Sequence, residues 1–143
     1  EANLEEGCVT GYSSDIIRSY IGRNSWFHTN YIGDSVLEGD FGAGSGAVLA
    51  NLRLDNQIIK VGEERLDTGR PKLGLIAGKS VRVGANATTM PGVRIGAVSL
   101  VGPGVVLKKD LKENKKILIK EESYEIEDYN ASPTGYDQFR NKL

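Results

Sequence analysis

The chain has one histidine, one cysteine, one methionine and one tryptophan in 143 residues, and these shortages remove whole classes of function. A single cysteine, Cys8, cannot close an internal disulfide, so a cross-linked secreted scaffold is excluded and a reducing, cytoplasmic setting is expected. A single histidine, His28, is too few for a centre built of several imidazoles, so no metal is expected. No apolar run is long enough to span a membrane. Neither charge sign dominates: 18 Lys+Arg stand against 19 Asp+Glu, and no overall field favours nucleic acid or a membrane surface. The opening EANLEEGC is acidic and polar where a signal peptide is basic and then apolar. With no initiator methionine, the chain reads as part of a longer one.

Glycine is what the sequence has in abundance. Eighteen glycines against four prolines, spread through apolar segments, indicate repeated turns rather than a flexible linker. From residue 77 the chain divides into sixes: AGKSVR, VGANAT, TMPGVR, IGAVSL, VGPGVV, LKKDLK. First positions are Ala77, Val83, Thr89, Ile95, Val101 and Leu107, and glycine usually follows. Fifth positions are Val81, Ala87, Val93, Ser99, Val105 and Leu111, small or β-branched in all but the last. In this hexapeptide pattern each unit supplies one short strand and one turn, and three units make one triangular coil. The first-position side chain points inward, and the following glycine is expected where the turn needs permissive φ and close backbone approach. Strands of a sandwich would alternate with period two instead. The expected fold class is all-β, a left-handed parallel β-helix with a protruding loop and a C-terminal tail.

Upstream, YIGRNS, YIGDSV and FGAGSGAVLAN carry similar units at less regular spacing. The period breaks between Asn51 and Ile76, so 52–76 is expected as an inserted loop, in part a hairpin. A loop of that length in a compact domain usually serves function. The helix is assigned to 1–111, and 112–143 to a C-terminal strand or arm, or a partly disordered tail. Short β-helices expose flat faces, and three-fold association would cover one per copy, so a homotrimer is expected.

One stretch, SWFHTNYIGD, holds the only histidine. Together with AVLANLRLDN, LDTGRPKLGLIAG and TMPGVRIGAVSLVGPG, it resembles the C-terminal β-helix domain of bifunctional sugar-1-phosphate nucleotidylyltransferase/amino-sugar-1-phosphate acetyltransferases. The resemblance runs from about Ile17 to Leu111, and HTNYIGD and DTGRPKLG are its most specific pieces. It implies an N-terminal nucleotidylyltransferase domain in the parent chain, and an acetyl-CoA-dependent N-acetyltransferase acting on an amino-sugar phosphate such as glucosamine-1-phosphate. It places the catalytic base on His28 and substrate contacts on Arg18, Tyr31, Asn51, Lys72 and Arg70. Ala43, Gly44, Ala85, Val101 and Lys108 are the candidates for the acetyl-CoA groove.

These residue types suit that chemistry. An amine must be neutral to attack a thioester, and imidazole, with an ordinary pKa of about 6.5, is the fitting general base. Arginine and lysine suit a phosphate, and backbone N–H groups in FGAGSG would meet the developing oxyanion. Trp26 and Phe27 read as packing. Asp40 departs from the family pattern: a carboxylate stands where an amide would hold substrate, and it would repel a phosphate. The alternative reading is therefore a non-catalytic, oligomerising or regulatory β-helix of a nucleotidylyltransferase, in which His28 is structural.

Overall fold

The computed structural model describes residues 1–120 and 125–128, and the rest of the expected tail lies outside them. Three parallel sheets form the sides of a prism. The first side stacks Asn3–Leu4, Tyr20–Ile21, Val36–Leu37, Ile76–Ala77 and Arg94–Ile95. The second stacks Gly42–Ala43, Arg82–Val83, Leu100–Val101 and Lys116–Ile117, extended by single bridges through Trp26 to Val9. The third stacks Asp15–Ile17, Tyr31–Gly33, Val48–Leu49, Thr88–Thr89 and Val106–Leu107. The chain visits the three sides in turn, and each visit pairs with the coil before it, which makes the fold a parallel β-helix. Among the described residues no helix is long and apolar enough to cross a membrane.

Hexad arithmetic explains the core. In the regular half, first-position residues Ala77, Val83, Thr89, Ile95, Val101 and Leu107 are all buried. So are the fifth-position residues Val81, Ala87, Val93, Ser99 and Val105. Two inward residues per unit fill a narrow interior, and Phe27 and Phe41 stack there with ring centroids 5.9 Å apart. Regular coils advance by 18 residues, as from Ile76 to Arg94. Earlier ones are shorter, 16 from Tyr20 to Val36, which is why the upstream period looked loose. Past Leu111 the coil continues into the segment assigned to a C-terminal strand or arm. Lys116–Ile117 adds to the second side, because Leu111 and Ile117 still pack on the core.

The corners revise the role given to glycine. The left-handed φ values fall at the fourth hexad position, at Ser80, Asn86, Gly92, Val98 and Gly104, not at the glycine of the second. What the second position requires is absence of a side chain: a Cβ on Gly84 would lie 2.5 Å from the Pro103 nitrogen of the coil stacked against it. Close approach is the reason for glycine there; backbone freedom is not.

The long insertion leaves and re-enters at one corner. Val36 and Ile76 are paired neighbours although 40 residues separate them. An antiparallel bridge between Leu52 and Lys72 closes the base of the excursion, and Lys60–Val61 pairs antiparallel with Leu66–Asp67 further out. Ile59, 1% exposed, fixes this hairpin to the prism beside Gly92.

Two residues work against the fold. The Thr89 hydroxyl is fully buried with no hydrogen-bond partner, a cost of about 1–3 kcal/mol. Val98 is a β-branched residue at φ 55°, a conformation costing roughly 1–2 kcal/mol in L-residues other than glycine and asparagine. Thr89→Val and Val98→Asn should each raise unfolding stability by about 1 kcal/mol or more. Urea denaturation of the two single variants checks this, and an unchanged or lower midpoint in both would refute it.

Candidate functional site

The candidate residues gather at two corners of the prism, where the chain turns from one sheet to the next. The first lies between the third and first sides. There Asp34, at φ 48°, turns the chain, and its carboxylate gathers its neighbours. Arg18, one coil away, donates Nε to Oδ1 at 2.6 Å and a terminal nitrogen to Oδ2 at 2.8 Å. Asn51 donates its amide to Oδ2 at 2.5 Å, and its Oδ1 accepts from the Tyr31 hydroxyl at 3.3 Å. Gly33 makes room for this: a Cβ there would collide with the Asn51 amide. Lys72 stands beside Asn51, whose carbonyl accepts from the Leu73 N–H at 2.9 Å, and its charge is felt at Asp34.

Electrostatically the cluster is cationic. The Arg18 guanidinium holds the Asp34 carboxyl below its ordinary value of 3.8, with the Asn51 amide and the charges of Arg18 and Lys72 adding to the effect and burial opposing it. One carboxylate thus fixes two donors, and Lys72 leaves a net positive charge. Four expected substrate residues, Arg18, Tyr31, Asn51 and Lys72, come together here. Arg70 does not join them: it sits in the hairpin, where its carbonyl accepts from the Ile59 N–H at 3.0 Å.

His28 stands at the second corner, between the second and third sides. Its ring is exposed, and among the described residues neither ring nitrogen is hydrogen bonded. The backbone beneath it is fixed firmly. The buried Asn30 accepts the His28 N–H at 2.8 Å and donates to the carbonyls of Gly44 and Ala47 at 2.8 and 3.1 Å. Ser14 donates to the His28 carbonyl at 2.7 Å. Asn30 was not singled out from the sequence; its place between His28 and Tyr31 at an inward-turning corner was the available signal.

A groove of roughly 300 Å³ runs along this corner, lined by His28, Trp26, Ala43, Gly44, Arg82 and Val101 among others. Ala85 follows in the turn stacked against Gly44. Most amides of FGAGSG are committed to the coil: those of Gly42, Ala43, Gly44 and Gly46 donate to the carbonyls of Val81, Trp26, Val83 and Thr29. The N–H groups of Ser45 and Ala85 have no partner among the described residues, so the donors available to an oxyanion or an amide-bearing ligand are fewer than the glycine count suggested. Trp26, read from sequence as packing, is instead 58% exposed with its ring centroid 6.3 Å from that of His28. Lys108 lies elsewhere, in a groove beneath the hairpin that shares no lining residue with this one.

Asp40 also differs from expectation. It lies at the remaining corner, between the first and second sides, away from the Arg18–Asp34 cluster. Ser80 donates to it at 2.7 Å and Arg82 at 2.8 Å, and these partners, Ser80 first, lower its pKa. Its charge is balanced locally and does not oppose a phosphate at the other corner.

A bifunctional sugar-1-phosphate nucleotidylyltransferase/acetyltransferase of Sulfurisphaera tokodaii is 41% identical over 111 residues, 76% of this chain and 28% of that protein. The bifunctional protein GlmU of Methanococcus aeolicus is 36% identical over 122 residues, 83% of this chain and 29% of that protein. The chain is a homologue of these bifunctional proteins. It spans under a third of the length of the curated relatives it matches. No protein-family model matches it. Among solved structures, PerB from Caulobacter crescentus in complex with CoA and GDP-perosamine is 20% identical, with a TM-score of 0.47 over 80% of this chain and 54% of that one. Serine acetyltransferase isoform 3 from Entamoeba histolytica, in complex with cysteine, is 13% identical, with a TM-score of 0.49 over 94% of this chain and 42% of that one.

Asp34 gives the cluster a measurable pH signature. Because its folded pKa is depressed, its contribution is fully present above the ordinary carboxylate value of 3.8 and is lost as pH falls through the lower folded value. The Arg18 end is half exposed and contributes little. The loss in Asp34→Ala is therefore set mainly by the stranded, buried Asn51 amide, about 1–3 kcal/mol at neutral pH. The part of that difference carried by the Asp34 charge, its bonds to Arg18 and the charge-assisted share of the Asn51 bond, should be lost in acid, below about pH 4. Urea denaturation at neutral and acid pH tests it, and a difference independent of pH would contradict the assignment.

Proposed function

We propose that this domain is an acetyl-CoA-dependent N-acetyltransferase acting on an amino-sugar 1-phosphate of the glucosamine-1-phosphate class. The observation that carries the reading is the division of labour between two corners of one side: an exposed imidazole at one edge, and a preorganised Arg18–Asn51–Lys72 cluster at the other. Tyr31–Gly33 lies between them, a strand of three residues spanning roughly 10 Å. Side chains reaching in from both corners reduce that span to the scale of a sugar phosphate.

In this reading the phosphate meets Arg18 and Lys72, and the Tyr31 hydroxyl, whose bond to Asn51 is long at 3.3 Å, turns to it as a further donor. The sugar lies across the outer surface of the strand and brings its amine to His28. His28 takes the proton as the amine attacks the thioester carbonyl. The nitrogen–carbon bond forms, the carbon–sulfur bond breaks, and CoA leaves as the thiol. The thioester arm lies in the groove beside Ala43, Gly44, Ala85 and Val101, where the free N–H groups of Ser45 and Ala85 are available to amide oxygens or the oxyanion. The names of the relatives, which couple nucleotidylyltransferase and acetyltransferase activities, support this assignment. They also support a place in nucleotide-sugar synthesis with an N-terminal nucleotidylyltransferase partner domain. A homotrimer completes the reading, since Tyr20, Val36, Trp26 and Leu100 leave apolar surface on outer faces for a neighbouring copy to cover.

The test is thiol release from acetyl-CoA in the presence of glucosamine-1-phosphate or galactosamine-1-phosphate. Turnover should fall about 10²–10⁴-fold in His28→Ala, while sedimentation shows the same oligomer. Lys72→Ala should mainly raise KM for the sugar phosphate. Absence of turnover in the native protein with both sugars would favour the oligomerising, non-catalytic role.

A further inference from the structure

A second groove is more than twice the volume of the one beside His28. About 710 Å³ in volume, it lies between the inserted hairpin and the outer edge of the prism, within the size range of small-molecule sites. The hairpin side contributes Arg53, Lys60 and Arg65, and the prism contributes Lys108 and Lys109 from one corner. Carboxylates are present too, but two are already engaged. Asp55 pairs with Arg53 and Asp110 with Arg94. That leaves Lys60, Arg65, Lys108 and Lys109 unpaired among the described residues, against Glu63 alone in the lining. In a chain whose overall charge is −1, this lining carries five cations against three carboxylates, with Asp67 opposite Lys60 on the hairpin, and the cationic excess comes from two separate elements across one space. The mutual repulsion of these cations is relieved by an anion between them. Met90, Pro91 and Leu54 add apolar surface to the same lining, and Leu54 and Met90 are both exposed.

We propose that this groove binds a nucleoside polyphosphate, its phosphates between Lys60 and Arg65 on the hairpin and Lys108 and Lys109 on the prism, its base against Met90, Pro91 and Leu54. The site is separate from the His28 groove and does not rest on the acetyltransferase reading. Ligand binding would clamp the hairpin to the coil, since the two cation pairs belong to opposite walls. The same chemistry has two sources, a free nucleotide or the nucleotide end of CoA.

Isothermal titration of the chain with ATP and with inorganic pyrophosphate tests it. Both should bind, ATP more tightly because it adds the base, and both should weaken as salt rises. Lys60→Glu and Lys109→Glu, on different walls, should each weaken ATP roughly tenfold or more, with unchanged circular dichroism; Lys60→Gln serves where the reversal perturbs folding. His28→Ala should leave ATP binding unaltered. Displacement of ATP by CoA identifies the CoA nucleotide as the source, and no displacement identifies a free nucleotide. The proposal fails if neither probe binds, if both charge reversals leave binding unchanged, or if His28→Ala abolishes it.

Discussion

The whole architecture depends on consecutive coils approaching to hydrogen-bonding distance at every corner as well as along every side. A strand pair tolerates side chains because they alternate inward and outward. The second-position glycines of the corners do not, because the backbone of the next coil occupies the place where a Cβ would go. The 2.5 Å between a hypothetical Gly84 Cβ and the Pro103 nitrogen states that constraint directly. Given this approach, the interior is so narrow that two inward residues per hexad fill it, and composition becomes periodic.

That constraint also decides where chemistry can reside. The sides are ladders whose N–H and C=O groups are taken up in pairing, and the buried serines Ser19, Ser25, Ser35 and Ser99 are turned onto backbone carbonyls. Most of the candidate groups lie at the corners, where residues such as Asp34 take left-handed φ, with Tyr31 adding its hydroxyl from the adjoining strand. Stacked corners then align residues distant in sequence: Arg18, Asp34 and Asn51 come from three successive coils, and Lys72 returns at the base of the insertion. The solenoid converts sequence separations of 16 and 17 residues into direct hydrogen bonds.

The regular half of the fold was legible because Ala77, Val83, Thr89, Ile95, Val101 and Leu107 repeat without slip. The upstream half was blurred by coils of 16 rather than 18 residues, which changes corner length but leaves the inward pattern intact. At the site, Arg18, Tyr31, Asn51 and Lys72 were marked by motif and do converge. Asp34 was visible as the last letter of HTNYIGD, yet its task as the shared acceptor is a matter of coil stacking, which no local pattern reveals. The same is true of Asn30, whose amide bridges His28 to Gly44 and Ala47. Asp40 shows the converse: judged by type it threatened a phosphate site, but partners Ser80 and Arg82, forty and forty-two residues away, neutralise it at another corner.

The insertion can be understood from the same geometry. A loop that leaves a β-helix has to exit at a corner, since exit from a side would break a ladder. This one leaves after Asn51 and returns before Gly74, whose N–H donates at 2.8 Å to the Asp34 carbonyl. Its base therefore lies against the cation cluster and supplies Lys72 to it. Its outer part, fixed by Ile59 beside Gly92, leans over later coils of the same corner, where Lys108 and Lys109 face Lys60 and Arg65. One excursion from one corner thus builds charge on both of its flanks. Shortening the hairpin while keeping the Leu52–Lys72 bridge would remove the outer groove and leave the Asp34 cluster whole, because no bond within that cluster passes beyond the bridge.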